Sequence, residues 1–247
     1  MENMIKKTDT TNSLLVRIGI VFSEIFIAML VIKFLGGLAG LLFISKSNAE
    51  PSIILPIIIY ILYALCALFI PIIGLKKFPV TKNENAIKKD SRFWWNTILM
   101  LICTLIISLA EICVKCSNIT NLNYVKNNVE NNFIIITIIS TIFAFILPLI
   151  YSYTTQKLVI DRVISHGEKR AILFSATMFF VVNFFGGTIQ YWLLSSFILG
   201  LVLAYIYIKT SNIKYSMIIN VIFNILFLPQ IAIKIASIVN KLIALLF

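Results

Sequence analysis

The sequence contains eight apolar runs, and these runs restrict the fold more than any motif does. About 20 apolar residues suffice for a helix to cross a bilayer, and the backbone polar groups of a segment in lipid must be satisfied within that segment. We therefore predict an all-α, polytopic helical bundle in which residues 1–247 form a single integral membrane domain. The runs are Leu14–Ile44, Ile53–Leu75, Phe93–Val114, Phe133–Tyr153, Ala171–Phe185, Ile189–Ile208, Tyr215–Leu228 and Ile231–Phe247.

The number of transmembrane helices depends on the final run. Residues 231–247 carry the polar residues Lys234, Ser237 and Lys241 at helical spacing. This stripe is typical of an amphipathic helix in the membrane interface, and it equally suits a crossing whose stripe packs inward. Seven or eight transmembrane helices are therefore predicted.

The composition agrees with a membrane protein. Hydrophobic residues make up 60% of the chain, charged residues make up 13%, and the mean hydropathy is +0.99. Soluble domains are about half apolar and about a quarter charged, so a soluble enzyme is excluded. Heavy use of Ile, Asn and Lys is typical of an AT-rich genome, which favours a bacterial cell membrane as the location.

The positive charges follow the predicted topology. If the N-terminus is placed inside and the helices alternate, most of the 21 Lys and Arg residues fall in inner segments, including the loop Lys76–Arg92. The positive-inside rule then predicts a cytoplasmic N-terminus. Basic inner loops facing anionic head groups account for the net charge of +11, so the lipid bilayer is the predicted partner of this charge and nucleic acid is not.

The cysteines do not indicate a cofactor. Cys113 and Cys116 form a C-x-x-C at the predicted outer end of the third helix, where a disulfide, a solvent-facing pair and two small helix-end residues remain open alternatives. Structural zinc takes about four ligands, and the single histidine, His166, falls on the predicted opposite side. We predict no metal site and no cofactor.

Three stretches between Pro148 and Asn224 have the spacing of a known motif series. They are Pro148-Leu149-Ile150-Tyr151-Ser152-Tyr153-Thr154-Thr155-Gln156-Lys157, Phe179-Phe180-Val181-Val182-Asn183 and Asn220-Val221-Ile222-Phe223-Asn224. Residues 148–224 thereby resemble the core of the CAAX-protease and bacteriocin-processing (CPBP) intramembrane proteases, a family that includes the type II CAAX prenyl proteases. Active members carry Pro-x-x-Glu-Glu-x-x-Phe-Arg-Gly, Phe-x-x-x-His and His-x-x-x-Asn in this order.

The resemblance implies an intramembrane endopeptidase whose catalytic positions are substituted. The positions of the glutamate pair hold Tyr151 and Ser152, and the position of the arginine holds Gln156. Asn183 and Asn220 stand at the two histidine positions, while Asn224 keeps the family's asparagine. A general base must accept a proton near the working pH, which these hydroxyls and amides do not do unaided. We therefore predict a degenerate member that has lost glutamate-type proteolysis, although the amides could still build part of an oxyanion hole.

Four polar residues of the apolar runs are candidates for a ligand or partner cavity, namely Glu24, Asn183, Asn220 and Asn224. An ionisable group within a membrane segment suggests function. Glu24 lies about 15 Å into the first run at 1.5 Å per residue, with Arg17 on the same side two turns away. Buried amides also serve as hydrogen bonds between helices, and this structural interpretation stays open beside the cavity.

Several functions follow from a retained architecture with lost chemistry. We favour a catalytically inactive CPBP-like pseudoenzyme that acts as a scaffold or regulator for a membrane protein or peptide. Bacteriocin self-immunity is an alternative that predicts peptide sensitivity on deletion. A small-molecule permease or substrate-binding subunit would use Glu24 and the asparagines, and residual CAAX-type cleavage is the last alternative.

Overall fold

The computed structural model describes residues 2–46, 54–80, 91–116, 133–186 and 193–226, and every regular element in these ranges is helical. Seven of the eight predicted runs form helices, which confirms the all-α membrane bundle. The eighth, 231–247, lies outside the described residues. The helices are α1 (Glu2–Lys46), α2 (Ile54–Leu75), α3 (Ser91–Cys116), α4 (Phe133–Ser152), the short α5 (Val159–Val163), α6 (Glu168–Gly186), α7 (Leu193–Thr210) and α8 (Ile213–Leu226).

The lengths and surfaces of these helices suit a bilayer. Among the residues whose side chains the structure describes, three stretches are long and apolar enough to cross it, Val16–Leu38, Arg92–Glu111 and Thr141–His166, and shorter apolar stretches cover Ile61–Leu75, Leu194–Thr210 and Ile213–Leu226. Large apolar side chains face outward along the described helices, for example Trp95 at 73% and Phe34 at 64% exposure. Lipid tails are the solvent in which such surfaces are stable, since large apolar patches are rare on soluble monomers.

A π-helical turn directly follows α4. α4 continues directly into a π-helical segment, Tyr153–Leu158, then into α5 and a 3₁₀ turn, Ile164–His166. This continuous helical segment ends at Gly167, whose φ is 116°. Glycine adopts a positive φ readily because it has no Cβ. Single π turns inside helices occur mostly at functional sites, and this one falls within the stretch that resembles the family motif.

α7 lies at the centre of the bundle. It packs against α3, α6 and α8, and its residues Leu203, Ala204 and Ile206 are completely buried. Gly200 allows the close approach of α6, since a Cβ at this position would lie 3.0 Å from Ala176 Cα. α4 pairs with α8 on one side of α7, and α1 pairs with α2 and α6. The segment that resembles the proteases thus supplies much of the core of the described bundle, and α1 and α2 add buried side chains such as Val21 and Ala67.

The turn between α7 and α8 is closed by its own polar residues. Ser211 N donates to Tyr207 O at 2.8 Å with Ser211 in the left-handed region at φ 49°. Asn212 Oδ1 accepts from Lys214 N at 3.0 Å, which is the bond that an asparagine N-cap makes to the second residue of a helix. This turn fixes where α8 starts and therefore where Asn220 lies.

Two arginines cap the end of α2. The last carbonyls of a helix have no partner within that helix. Arg17 Nε donates to Gly74 O at 3.1 Å from α1, and Arg162 Nε donates to Leu75 O at 2.9 Å from α5. The end of α2 therefore joins the first helix to the protease-like segment.

Candidate functional site

The site begins with a hydrogen bond between α8 and α4. Asn220 is completely buried, and its Nδ2 donates to Pro148 O at 3.1 Å and to Ser152 Oγ at 3.0 Å. Both partners belong to the first family-like stretch. The structure thus brings together residues of the first and third family-like stretches.

Asn224 extends this cluster by one helical turn. Its Nδ2 donates to Asn220 O at 2.9 Å and to Asn220 Oδ1 at 3.1 Å. Residues four apart share a helix face, as the sequence predicted for this pair. Ser152, Asn220 and Asn224 form one chain of hydrogen bonds, which we call the amide cluster.

The donors of the amide cluster are directed at the protein itself. A primary amide has two N–H groups, and the Nδ2 atoms of Asn220 and Asn224 each have two acceptors within the fold. An oxyanion hole needs donors that point to where charge develops in the transition state. The cluster as folded serves as a bridge between helices, and its members Ser152, Asn220 and Asn224 carry no charge.

Gln156 differs from the amide cluster because its side-chain amide is not satisfied by the described residues. Its side chain is completely buried in the π-helical segment, and neither Nε2 nor Oε1 has a hydrogen-bond partner among the described residues. Ser175 Oγ on α6 is buried in the same unpartnered state. An unsatisfied buried polar group costs about 1–3 kcal/mol, so Gln156 is a polar group that the described part of the fold does not satisfy.

Hydroxyls next to Gln156 are satisfied locally. Thr155 Oγ1 donates to Tyr151 O at 2.6 Å, and Thr154 Oγ1 donates to Ile150 O at 3.0 Å. Tyr151 is itself buried at 3% exposure. Bonds of this type to carbonyls three or four residues earlier often bend helices, and here they accompany the change to π-helical spacing.

Two predicted cavity residues are bonded elsewhere. Asn183 Nδ2 donates to Phe179 O at 2.8 Å within α6, and no described hydrogen bond joins it to the amide cluster. Glu24 is exposed on α1, where its Oε1 lies 3.4 Å from Arg17 Nη1. A shared cavity for Glu24, Asn183, Asn220 and Asn224 stays a prediction.

Two carboxylates form contacts that the sequence did not reveal. Asp161 Oδ1 accepts from Tyr207 Oη at 2.7 Å, which ties α5 to α7. Glu111 on α3 accepts from Leu194 N at 2.9 Å and from Ser195 Oγ at 2.5 Å, and so caps the start of α7. In the sequence each is visible only as an acidic residue in a mainly apolar stretch, and this does not indicate which residue it contacts. Among the described residues no three His, Cys, Asp or Glu side chains are grouped so as to hold a metal ion.

The cysteine motif cannot be placed in the same detail. Cys113 and Cys116 fall on the last turns of α3, where the side chains lie outside the described residues. Their predicted alternatives, including a disulfide, are therefore untested.

Comparison with known proteins identifies the central segment. Residues 149–226 match the family model described as "Type II CAAX prenyl endopeptidase Rce1-like". The match covers about a third of the chain and nearly coincides with the predicted range 148–224. The resemblance to the CPBP family is thereby confirmed. No curated protein and no solved structure shows a significant match.

The class of protein follows from the fold and this match together. The chain is an integral membrane protein with a CAAX-protease-like core. Its amide cluster and Gln156 lie within the matched segment.

Proposed function

We propose that this protein is a catalytically inactive CAAX-protease-like protein that binds and regulates another membrane protein or a membrane peptide. The inactivity in this proposal rests on one observation, which is that the side-chain N–H groups of the amide cluster are already hydrogen-bonded within the protein. Asn220 donates to Pro148 O and Ser152 Oγ, so its N–H groups are not available to a substrate carbonyl.

The lack of a suitable base in the amide cluster supports the same conclusion. Water-activated proteolysis needs a group that accepts a proton close to the reacting carbonyl. The nearest carboxylate along this helical segment is Asp161, nine residues beyond Ser152, and it already accepts a hydrogen bond from Tyr207. At 1.5 Å per residue this separation is about 14 Å along the helix.

Gln156 supports the second half of the proposal. A peptide bond offers one N–H and one C=O, which match the unpartnered Oε1 and Nε2 of Gln156. The neighbouring surfaces of α4 and α8 expose apolar side chains to the membrane, among them Leu149, Ile218 and Ile222. Because Gln156 is completely buried, a partner segment that packs on this face would satisfy the amide only when the π-helical turn opens toward it.

Cleavage is tested directly with the purified protein. The protein in detergent and in liposomes is incubated with a prenylated CAAX peptide and with a leader-type peptide, beside a protein-free control and an Asn220→Leu variant. We expect no product above the control. Product that appears with the unaltered protein and disappears in the variant would contradict inactivity.

Partner binding is tested by photo-crosslinking in the native membrane. A photoreactive residue is placed at Ile222, on the exposed side of α8, or at Trp95, which is 73% exposed on α3 and serves as the matched lipid-facing control. We expect one stoichiometric adduct from position 222 that is absent from position 95 and is lost in Gln156→Leu. Equal adducts from both positions, or lipid adducts alone, would rule out a specific partner on this face.

A further inference from the structure

A groove of about 500 Å³ opens between α1 and the end of α2, away from the amide cluster. Two cations contribute to its lining, Arg17 and Lys77. The remaining walls consist of Gly74 and the apolar side chains of Val16, Ile20, Ile73 and Phe78.

The guanidinium of Arg17 is held at this groove. Its Nε donates to Gly74 O at 3.1 Å, and its Nη1 lies 3.4 Å from Glu24 Oε1. Its Nη2 has no hydrogen-bond partner among the described residues. A Cβ at position 74 would clash with Val21 Cγ2, so Gly74 is what allows α1 to lie close enough for this arrangement.

The groove lies where hydrocarbon meets water. The apolar run of α1 begins at Leu14, just before Arg17, and α2 ends at Leu75, which is followed by the exposed Lys76 and Lys77. Val16 and Ile73 are 63% and 68% exposed. Cationic side chains at such a boundary keep their charges at the level of the head groups while their stems lie along apolar surface.

The charge near the groove is mainly positive. Arg162 donates to Leu75 O beside the groove, which adds a third cation to Arg17 and Lys77. Among the described residues, Glu24 is the carboxylate placed against Arg17, and Asp161 lies near Arg162. Basic pockets between membrane helices bind anionic lipid head groups, and the shape here offers both a cationic end and an apolar wall.

We propose that this groove is a binding site for an anionic phospholipid. The phosphate lies against Arg17 and Lys77, and an acyl chain follows the exposed side chains of Val16, Ile20 and Ile73. Glu24 shares the guanidinium with the phosphate and therefore weakens binding. The site is independent of the function proposed for the amide cluster.

The experiment uses the full chain reconstituted in nanodiscs that contain phosphatidylcholine with increasing fractions of phosphatidylglycerol. Bound lipid is counted by native mass spectrometry, and thermal unfolding is followed in parallel. The variants are Lys77→Gln, Arg17→Gln and Glu24→Gln. Lys214→Gln removes the same charge from an exposed position at the start of α8 and is the matched control. Soluble glycerol phosphate is added in a separate arm to distinguish a free anion from a lipid.

We expect phosphatidylglycerol to be retained in preference to phosphatidylcholine. Lys77→Gln is expected to weaken that retention about fivefold, the effect of one cation near an anionic surface. Glu24→Gln is expected to strengthen it, and Lys214→Gln to leave it unchanged. Because Arg17 also caps α2, Lys77→Gln and Glu24→Gln carry the test if Arg17→Gln unfolds the protein.

Other outcomes overturn the proposal. Equal retention of both lipids would indicate general solvation by lipid. Stabilisation by glycerol phosphate equal to that by the lipid would indicate a free-anion site. Weaker binding in Glu24→Gln would mean that the carboxylate itself recognises the ligand, as the permease alternative requires.

Discussion

Asn220 on α8 and Ser152 on α4 are joined by a completely buried hydrogen bond of 3.0 Å. Both residues lie within the segment that matches the CAAX-protease family model. The bond joins an amide to a hydroxyl and links α8 to α4. Hydrogen bonds of this type in membrane proteins contribute about 0.6 kcal/mol on average.

The first prediction concerns this bond. Asn220→Leu leaves Pro148 O and Ser152 Oγ without their buried donor, and we expect it to lower the free energy of unfolding by about 1–3 kcal/mol. Ser152→Ala alone is expected to cost less, since Asn220 keeps its bond to Pro148 O. The free energy of unfolding is measured in mixed detergent micelles for both single variants and for the double variant, which together form a double-mutant cycle. A coupling energy near zero would show that the two side chains do not interact.

The second prediction concerns Gln156. Gln156→Met retains the length of the side chain and removes two buried polar atoms that have no described partner. We expect the purified protein to be unchanged or more stable, because an unsatisfied amide no longer has to be buried.

The neighbouring Thr155→Val is the control for that experiment. It removes the 2.6 Å bond from Thr155 Oγ1 to Tyr151 O and is expected to destabilise by about 1 kcal/mol. If Gln156→Met lowers stability more than Thr155→Val does, the amide of Gln156 has a partner in the resting protein, and its availability to a bound segment is refuted.

The sequence predicted the helices well because membrane insertion depends on local composition. The predicted run Phe93–Val114 lies within α3, and the described residues of the run Ile53–Leu75 are all helical in α2. The shared face of Asn220 and Asn224 follows from helical periodicity alone. The π-helical segment Tyr153–Leu158 was not predicted, because apolar periodicity does not distinguish π from α spacing over so short a stretch.

Contacts between distant residues could also not be predicted from the sequence. Glu24 and Arg17 were placed two turns apart on one side of α1, yet the long arginine side chain covers that distance to give a contact of 3.4 Å. Asp161 and Tyr207 are 46 residues apart, and only the packing of α5 on α7 brings them together. The resemblance to a protease core implied that the stretches containing Ser152 and Asn220 contribute to the same site. Composition and periodicity alone did not imply this.

The third prediction concerns the close packing of α6 and α7. A side chain at Gly200 would meet Ala176 O at 3.2 Å and Phe179 Cβ at 3.2 Å. We expect Gly200→Val to destabilise the bundle by about 1–3 kcal/mol through overpacking. Gly37→Val is the control, since a Cβ there has no neighbour within 4 Å, and both variants introduce the same side chain into a helix. Equal thermal midpoints would contradict the tight α6–α7 contact.

The last prediction concerns Glu111, whose carboxylate from α3 accepts from Leu194 N and Ser195 Oγ at the start of α7. A carboxylate at this point satisfies an N–H that the helix leaves unpaired and interacts favourably with the helix dipole. We expect Glu111→Ala to lower the free energy of unfolding by about 1 kcal/mol, as for the loss of an N-cap. Glu111→Gln keeps one acceptor and is expected to cost less, because charge-assisted hydrogen bonds are the stronger ones. Circular dichroism melts of the two variants and of Ser195→Ala in one detergent make the comparison. If Glu111→Gln is as destabilised as Glu111→Ala, the charge rather than the hydrogen bond stabilises this end of α7.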